Sequence, residues 1–113
     1  MCGFLVEYTN QSQLTKAEFL ALLALSQKRG PDSMGYWHQD GIIQMGFNRL
    51  AIVELSDAGH QPMHSFGGRY TIVFNGEIYN HKQLRKQLDF QKFRGYSDTE
   101  TITACLEEWG ISK

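Results

Sequence analysis

Tyr70-Thr71-Ile72-Val73-Phe74-Asn75-Gly76-Glu77-Ile78-Tyr79-Asn80-His81 is the stretch on which the fold reading turns. Its first five residues, all aromatic or β-branched, predict a strand, one of the strongest such signals in the chain. Asn75-Gly76 is the dipeptide most favoured in a tight hairpin turn. The same geometry has a chemical reading, because a turn that exposes the Gly76 N–H and aims the Asn75 amide outward offers two donors to an oxyanion. Residues 77–79 continue as a short extended piece, and Asn80 can cap a helix over residues 81–88.

Outward from there, residues 2–9 (Cys-Gly-Phe-Leu-Val-Glu-Tyr-Thr) predict a strand and residues 15–28 a helix. Leu14, Phe19, Leu22, Leu23 and Leu25 are expected to line one broad face of that helix, with Lys16, Glu18, Gln27 and Lys28 left wet. Arg29-Gly30-Pro31 ends it with a cation in the last turn, a glycine just past the end and a proline. Residues 36–39, 42–47 and 50–55 predict short strands, the first two joined by Asp40-Gly41. A loop over 56–68 carries Gly59-His60-Gln61-Pro62-Met63 and a Gly67-Gly68 turn. Ser97-Asp98-Thr99-Glu100 has capping-box spacing and opens a helix over 99–109. Strands in the middle with helices towards both ends describe an α+β fold in which helices cover antiparallel sheets.

The 113 residues suit one domain. With 42% hydrophobic and 20% charged residues the chain can bury a core, which excludes a disordered or fibrous class. Eleven Lys and Arg against twelve Asp and Glu leave a net charge of −1, so nothing draws the chain to nucleic acid or to an anionic membrane. The longest apolar stretch, residues 17–25, is interrupted by Glu18, is too short to span a bilayer and lacks the flanks of a signal peptide. A cytoplasmic protein is expected. Cys2 and Cys105 are too few for a disulfide scaffold and should be thiols there. His38, His60, His64 and His81 show no metal-ligand spacing, and no Walker loop, dinucleotide glycine pattern or HExxH occurs.

Three further residues could carry chemistry. If Met1 is removed, Cys2 joins a thiol to a free α-amine, which titrates near pH ~8 and can take the thiol's proton without a histidine. Read structurally, Cys2 is a small apolar residue at the start of a strand, and Cys105, among helix residues, carries only such a reading. Arg49, between two apolar runs, could bind a carboxylate through a two-pronged contact or project from a sheet edge into solvent. Asp98 suits a helix N-terminus for dipole reasons and could equally receive a ligand ammonium.

Taken in order, Met1-Cys2-Gly3, Arg29-Gly30-Pro31-Asp32 with Gly35, Arg49-Leu50-Ala51-Ile52-Val53, Gly59-His60-Gln61-Pro62-Met63, Phe74-Asn75-Gly76-Glu77-Ile78-Tyr79-Asn80 and Ser97-Asp98-Thr99-Glu100 form a specific series. It closely resembles the N-terminal glutaminase domain of glutamine-hydrolysing asparagine synthetases, which are class II glutamine amidotransferases and N-terminal-nucleophile hydrolases. The resemblance implies two facing antiparallel sheets flanked by helices, an αββα sandwich, incomplete here at the C-terminus. It implies Cys2 as nucleophile, Asn75 and Gly76 as oxyanion donors, Arg49 on the α-carboxylate of glutamine, Asp98 on its α-ammonium with Glu77 beside it, and Leu50, Ile52 and Val53 as pocket wall. No metal or cofactor is implied for glutamine hydrolysis. ATP and Mg are implied only for a synthetase domain that would use the ammonia to amidate aspartate, and that domain is expected to be missing from residues 1–113. The synthetase domain or subunit is the expected partner, with a homodimer as a further possibility. Phe47 and Lys28 stand where the family usually carries His, which would suit a relative amidating a sugar or another carboxylate for surface polysaccharide. A module that binds glutamine or a partner without turnover is the other alternative.

Overall fold

In the computed structural model, which describes residues 2–52 and 54–112, strand β1 (Gly3–Tyr8) leads into helix α1 (Lys16–Leu23). Met1 and Val53, for which removal and a place in the pocket wall were expected, lie outside the described residues. Thr15 caps α1. Its hydroxyl accepts the Glu18 N–H at 3.1 Å while the Glu18 carboxylate accepts the Thr15 N–H at 2.9 Å. That N–H, and then the hydroxyl, holds the Glu18 carboxyl below the usual carboxylate range.

The helix expected to run to residue 28 changes pitch after Leu23 and continues as a 3₁₀ segment, Ala24–Arg29. Phe19 and Leu23, one α-turn apart, are buried, whereas Leu22 and Leu25 are 47% and 81% exposed. The broad apolar face expected of this helix is therefore narrow, because only the i, i+4 stripe meets the sheet and the tighter 3₁₀ turn swings Leu25 away. Gly30 is not the left-handed stop expected of a helix end, since its φ is −145°. A glycine is needed there for space: a Cβ would stand 2.1 Å from the Asn48 carbonyl oxygen.

Strands β2 (Ser33–Gln39) and β3 (Ile43–Arg49) are joined through Asp40-Gly41, with Gly41 at φ 74°, and β1 pairs on the other side of β3, giving the antiparallel order β1-β3-β2. The register sets Gly3 opposite Asn48 and Val6 opposite Met45, with Trp37 opposite Met45 on the far edge. One face of β3 lies against α1 and is unusually polar. The buried Gln44 donates to the Glu7 carboxylate at 2.8 Å and to the Leu14 carbonyl at 2.9 Å, and it accepts from the Tyr36 hydroxyl at 2.6 Å. Asn48 donates to the Leu23 carbonyl at 2.7 Å and to Ser26 Oγ at 2.9 Å. Both amides are satisfied, so they fasten the helix and its 3₁₀ extension to the sheet rather than weakening the core. The opposite face buries Met45 and Phe47 but leaves Phe4, Val6 and Tyr8 of β1 open, at 48%, 41% and 79% exposure.

The second sheet is small: β4 (Met63–His64) pairs antiparallel with β5 (Thr71–Ile72). Several sequence expectations are corrected here. The strand expected over 70–74 keeps two ladder residues, because both backbone groups of Phe74 are taken by the Gln61 side chain, Oε1 accepting at 2.6 Å and Nε2 donating at 3.2 Å. The strand expected over 50–55 is a loop at its described residues, with Ile52 and Leu55 largely exposed. Asn75-Gly76 turns no hairpin; the chain runs on into helix α2 (His81–Gln87), whose N-cap Asn80 makes no side-chain cap bond. Helix α3 (Asp98–Trp109) is capped by Ser97 Oγ, which accepts the Glu100 N–H at 3.1 Å. The reciprocal half of the expected box is absent because the Glu100 carboxylate accepts the N–H groups of Arg94 and Gly95 instead, at 2.7 and 2.9 Å. The architecture is thus α+β with antiparallel sheets, and no helix among the described residues is long and apolar enough to cross a membrane.

Phe19→Ala should cost about 3–5 kcal/mol of unfolding free energy in urea, and Leu25→Ala less than about 0.5 kcal/mol; equal costs would contradict the narrow stripe. Burial, and then the neighbouring Arg85 charge, hold the His81 imidazole below its ordinary value, against the opposing pull of Asp98. The unfolded chain therefore binds the His81 proton first as pH falls, and stability drops below about pH 6.5. His81→Gln should flatten that slope in urea titrations run at neutral and mildly acidic pH.

Candidate active site

Cys2, Arg49, Leu50, Ile52, Asn75, Gly76, Glu77 and Asp98 all line one open cavity of about 520 Å³. Its size is that of small-molecule sites generally. Every expected site residue within the described chain is therefore in one place, although they come from the head of β1, the end of β3, the segment after β5 and the first turn of α3. A larger hollow of about 720 Å³, beside Trp37, His60 and the stacked rings of Phe66 and Phe90, contains none of them.

Cys2 owes its position to the β1–β3 register, which brings the head of β1 beside the residue following β3. The Leu50 N–H donates to Cys2 Sγ at 3.3 Å, and the thiol lies 3.5 Å from the Leu50 carbonyl oxygen. Asn75 is drawn to the same place: its Nδ2 donates to the Cys2 carbonyl at 3.0 Å. This bond, rather than hairpin pairing, determines where Asn75-Gly76 sits. The Gly76 N–H has no hydrogen-bond partner among the described residues and lines the cavity.

Arg49 is 8% exposed, so it does not project into solvent. Nη1 donates to the Ser56 carbonyl at 2.8 Å and Nη2 to the Glu54 carbonyl. A buried guanidinium must be hydrogen-bonded, and the loop after β3 supplies the acceptors by curling around it, which is why the described residues among 50–55 do not extend as a strand. Arg29-Gly30-Pro31-Asp32 does more than stop a helix. Asp32 Oδ2 accepts the Ala51 N–H at 2.8 Å and the Asp32 N–H donates to the Arg49 carbonyl at 2.8 Å, so this string brackets the backbone that carries Arg49 and Leu50. Asp98 Oδ2 accepts the Ile78 N–H at 2.8 Å, tying the Glu77-Ile78 segment to the first turn of α3, while Glu77 itself is exposed.

Sequence reasoning did not single out Gln61, Glu54, Arg85 or the carboxylate of Glu100, which hold this arrangement together. Gln61 is buried and completes its amide by donating to Thr99 Oγ1 at 3.3 Å. Its place in the Gly59-His60-Gln61-Pro62-Met63 string was the available signal. Arg85 donates from Nε to Thr101 Oγ1 at 2.7 Å and from its two terminal nitrogens to the carbonyls of Gly95 and Ser97, both at 2.8 Å. An amphipathic surface helix gives no hint of that reach. Burial, then the nearby Glu108, pushes the Cys105 thiol up, away from reactivity. No cluster of three metal-ligating side chains occurs among the described residues. Gln61→Ala strips both Phe74 backbone groups of their partners. Phe74 is only half-buried, so the cost should fall at or below the low end of the about 1–3 kcal/mol expected for an unpaired buried group, read as a loss of Phe74 amide protection in hydrogen exchange.

The sequence family described as the glutamine amidotransferase domain matches residues 1–113. Asparagine synthetase [glutamine-hydrolyzing] 1 of Arabidopsis thaliana is 37% identical over 113 residues, covering 98% of this chain and 19% of that protein. The Lotus japonicus protein of the same name is 41% identical over 113 residues, 97% of this chain and 19% of its own length. The Bacillus subtilis asparagine synthetase [glutamine-hydrolyzing] 1 is 37% identical over 115 residues, with 96% of this chain covered. The chain spans about a fifth of the length of these relatives. A match along its whole length means that the chain belongs to the glutamine amidotransferase domain family.

Proposed function

We propose that this chain hydrolyses the side-chain amide of glutamine to glutamate and ammonia, and that the ammonia serves an ATP-dependent amidation, with aspartate as the leading acceptor, on a synthetase portion outside residues 1–113. The observation that carries the reading is the meeting of Cys2, Asn75, Arg49 and Asp98 around one cavity. With Met1 removed, the Cys2 amine takes the thiol proton, and the sulfur attacks the amide carbon of glutamine. Negative charge builds on the amide oxygen, where the unpartnered Gly76 N–H and the second Nδ2 hydrogen of Asn75 can receive it. The first Nδ2 hydrogen, held by the Cys2 carbonyl, keeps that donor beside the nucleophile. The amine returns its proton to the departing nitrogen, the C–N bond breaks, and water cleaves the resulting thioester to glutamate.

The two ends of the amino acid explain the rest of the lining. The Arg49 N–H groups that do not hold the loop carbonyls face an α-carboxylate in this reading, and the second oxygen of Asp98, with Glu77 nearby, meets the α-ammonium. Leu50 and Ile52 line the wall. Every step uses the Cys2 α-amine, side chains and backbone donors of this chain together with solvent water; ATP and Mg²⁺ belong to the amidation. The open stripe of Phe4, Val6 and Tyr8 is consistent with an αββα sandwich, as the place where a facing sheet would lie.

A glutamine-mimicking diazoketone should label Cys2 and leave Cys105 untouched in peptide mass maps. Cys2→Ala should lower glutamate release at least about a thousandfold. Labelling at Cys105, a mature mass that retains Met1, or an active Cys2→Ala chain would each overturn the reading.

A further inference from the structure

Glutamine carries its α-carboxylate and α-ammonium on a single carbon, so a clamp made from Arg49 and Asp98 works only if the two are held at a set separation to within about 0.5 Å. They belong to different parts of the chain, the end of β3 and the start of α3. Among the described residues one hydrogen bond joins residues 49–56 to residues 94–98, and Glu54 makes it. Its Oε1 accepts the Tyr96 N–H at 2.6 Å, and its Oε2 accepts the Ser56 N–H at 3.1 Å and the Ser56 hydroxyl at 2.6 Å. The Glu54 carbonyl meanwhile accepts from Arg49 Nη2. A Cβ at Gly95 would stand 2.1 Å from Glu54 Oε1, so the glycine is what lets the two segments approach.

From these contacts we infer that Glu54 is a positioning residue, a strut that sets the gap between Arg49 and Asp98 and thereby the affinity for glutamine. The inference rests on the roles given to Arg49 and Asp98 above. The far end of the strut is rigid. Arg85 holds the carbonyls of Gly95 and Ser97, Glu100 holds the N–H groups of Arg94 and Gly95, and Ser97 then caps α3, so Asp98 follows Tyr96 with little freedom. The Ser56 hydroxyl, and then the Tyr96 N–H, keep the Glu54 carboxyl below the usual carboxylate range, as acceptance of several donors by one carboxylate requires. A glutamine side chain at this position keeps one acceptor oxygen and turns an NH₂ towards donors, so it cannot make the same set of bonds.

In the full chain, Glu54→Gln should raise the glutamine KM about tenfold or more while kcat stays within about threefold. Labelling of Cys2 by the glutamine-mimicking diazoketone should slow by a similar factor below saturation, whereas iodoacetamide, which has no α-groups to clamp, should label Cys2 at the wild-type rate. An unchanged KM in Glu54→Gln, or equal slowing of the two reagents, would overturn the strut. Hydrogen exchange decides the tie without reference to turnover: in Glu54→Gln the Tyr96 amide should exchange at least about tenfold faster, with β3 unchanged. Unaltered Tyr96 exchange, or acceleration spread through β3, would sink the proposal. A wild-type chain that releases no glutamate and resists the diazoketone would instead overturn the proposed function, leaving the exchange result to judge Glu54.

Discussion

A guanidinium buried at the end of a central strand is the constraint around which the rest is arranged. Arg49 leaves β3 with 8% of its surface exposed, and a cation so placed is tolerable only if its N–H groups find acceptors. The following loop provides them by bending back until the carbonyls of Glu54 and Ser56 reach the side chain. That bend ends the sheet, creates the cavity wall at Leu50 and Ile52, and brings the Glu54 carboxylate to the segment before α3. The Asp32 bonds to Ala51 and Arg49 close the arrangement from the other side. The fold and the proposed glutamine clamp thus depend on the same buried charge.

The central strand follows the same logic elsewhere. Gln44 and Asn48 are buried on its helix-facing side, and each is bonded to groups from the segment leading into α1, α1 itself, the 3₁₀ segment or the neighbouring strands. Directional bonds of this kind admit one docking of helix on sheet, whereas an apolar face alone would permit several. The price appears on the opposite face, where Met45 and Phe47 are covered but Phe4, Val6 and Tyr8 remain open to solvent. The sheet is secured on its polar side and unfinished on its apolar one.

Local sequence signals proved dependable where the deciding interaction is local. The Asp40-Gly41 turn closes over two residues, and Ser97 caps α3 from the adjacent position. They failed where a distant group outbid the local preference. Residues 70–74 read as a strand by composition, yet Gln61 takes the hydrogen-bonding groups of Phe74 from thirteen residues away. Asn75-Gly76 is the best hairpin dipeptide in the chain, yet a bond to Cys2 across 73 residues governs it. Leu25 fits an α-helical stripe and is exposed because the helix changes pitch before reaching it.

The sequence by itself named the candidate site: the order of the short strings, through the family they resemble, pointed to Cys2, Arg49, Asn75, Gly76 and Asp98, although the chemistry of each residue taken singly left a structural reading open. It also determined the α+β class, through caps and turns that act over a few residues. Tertiary structure alone decided that these residues share a cavity, that Arg49 is a buried hub, and that Glu54 joins the two sides of the site through Tyr96, 42 residues further along. Those outcomes depend on pairing between segments far apart in the chain. Hydrogen bonds at such separations leave no periodicity and no spacing rule behind, so only the folded backbone reveals them.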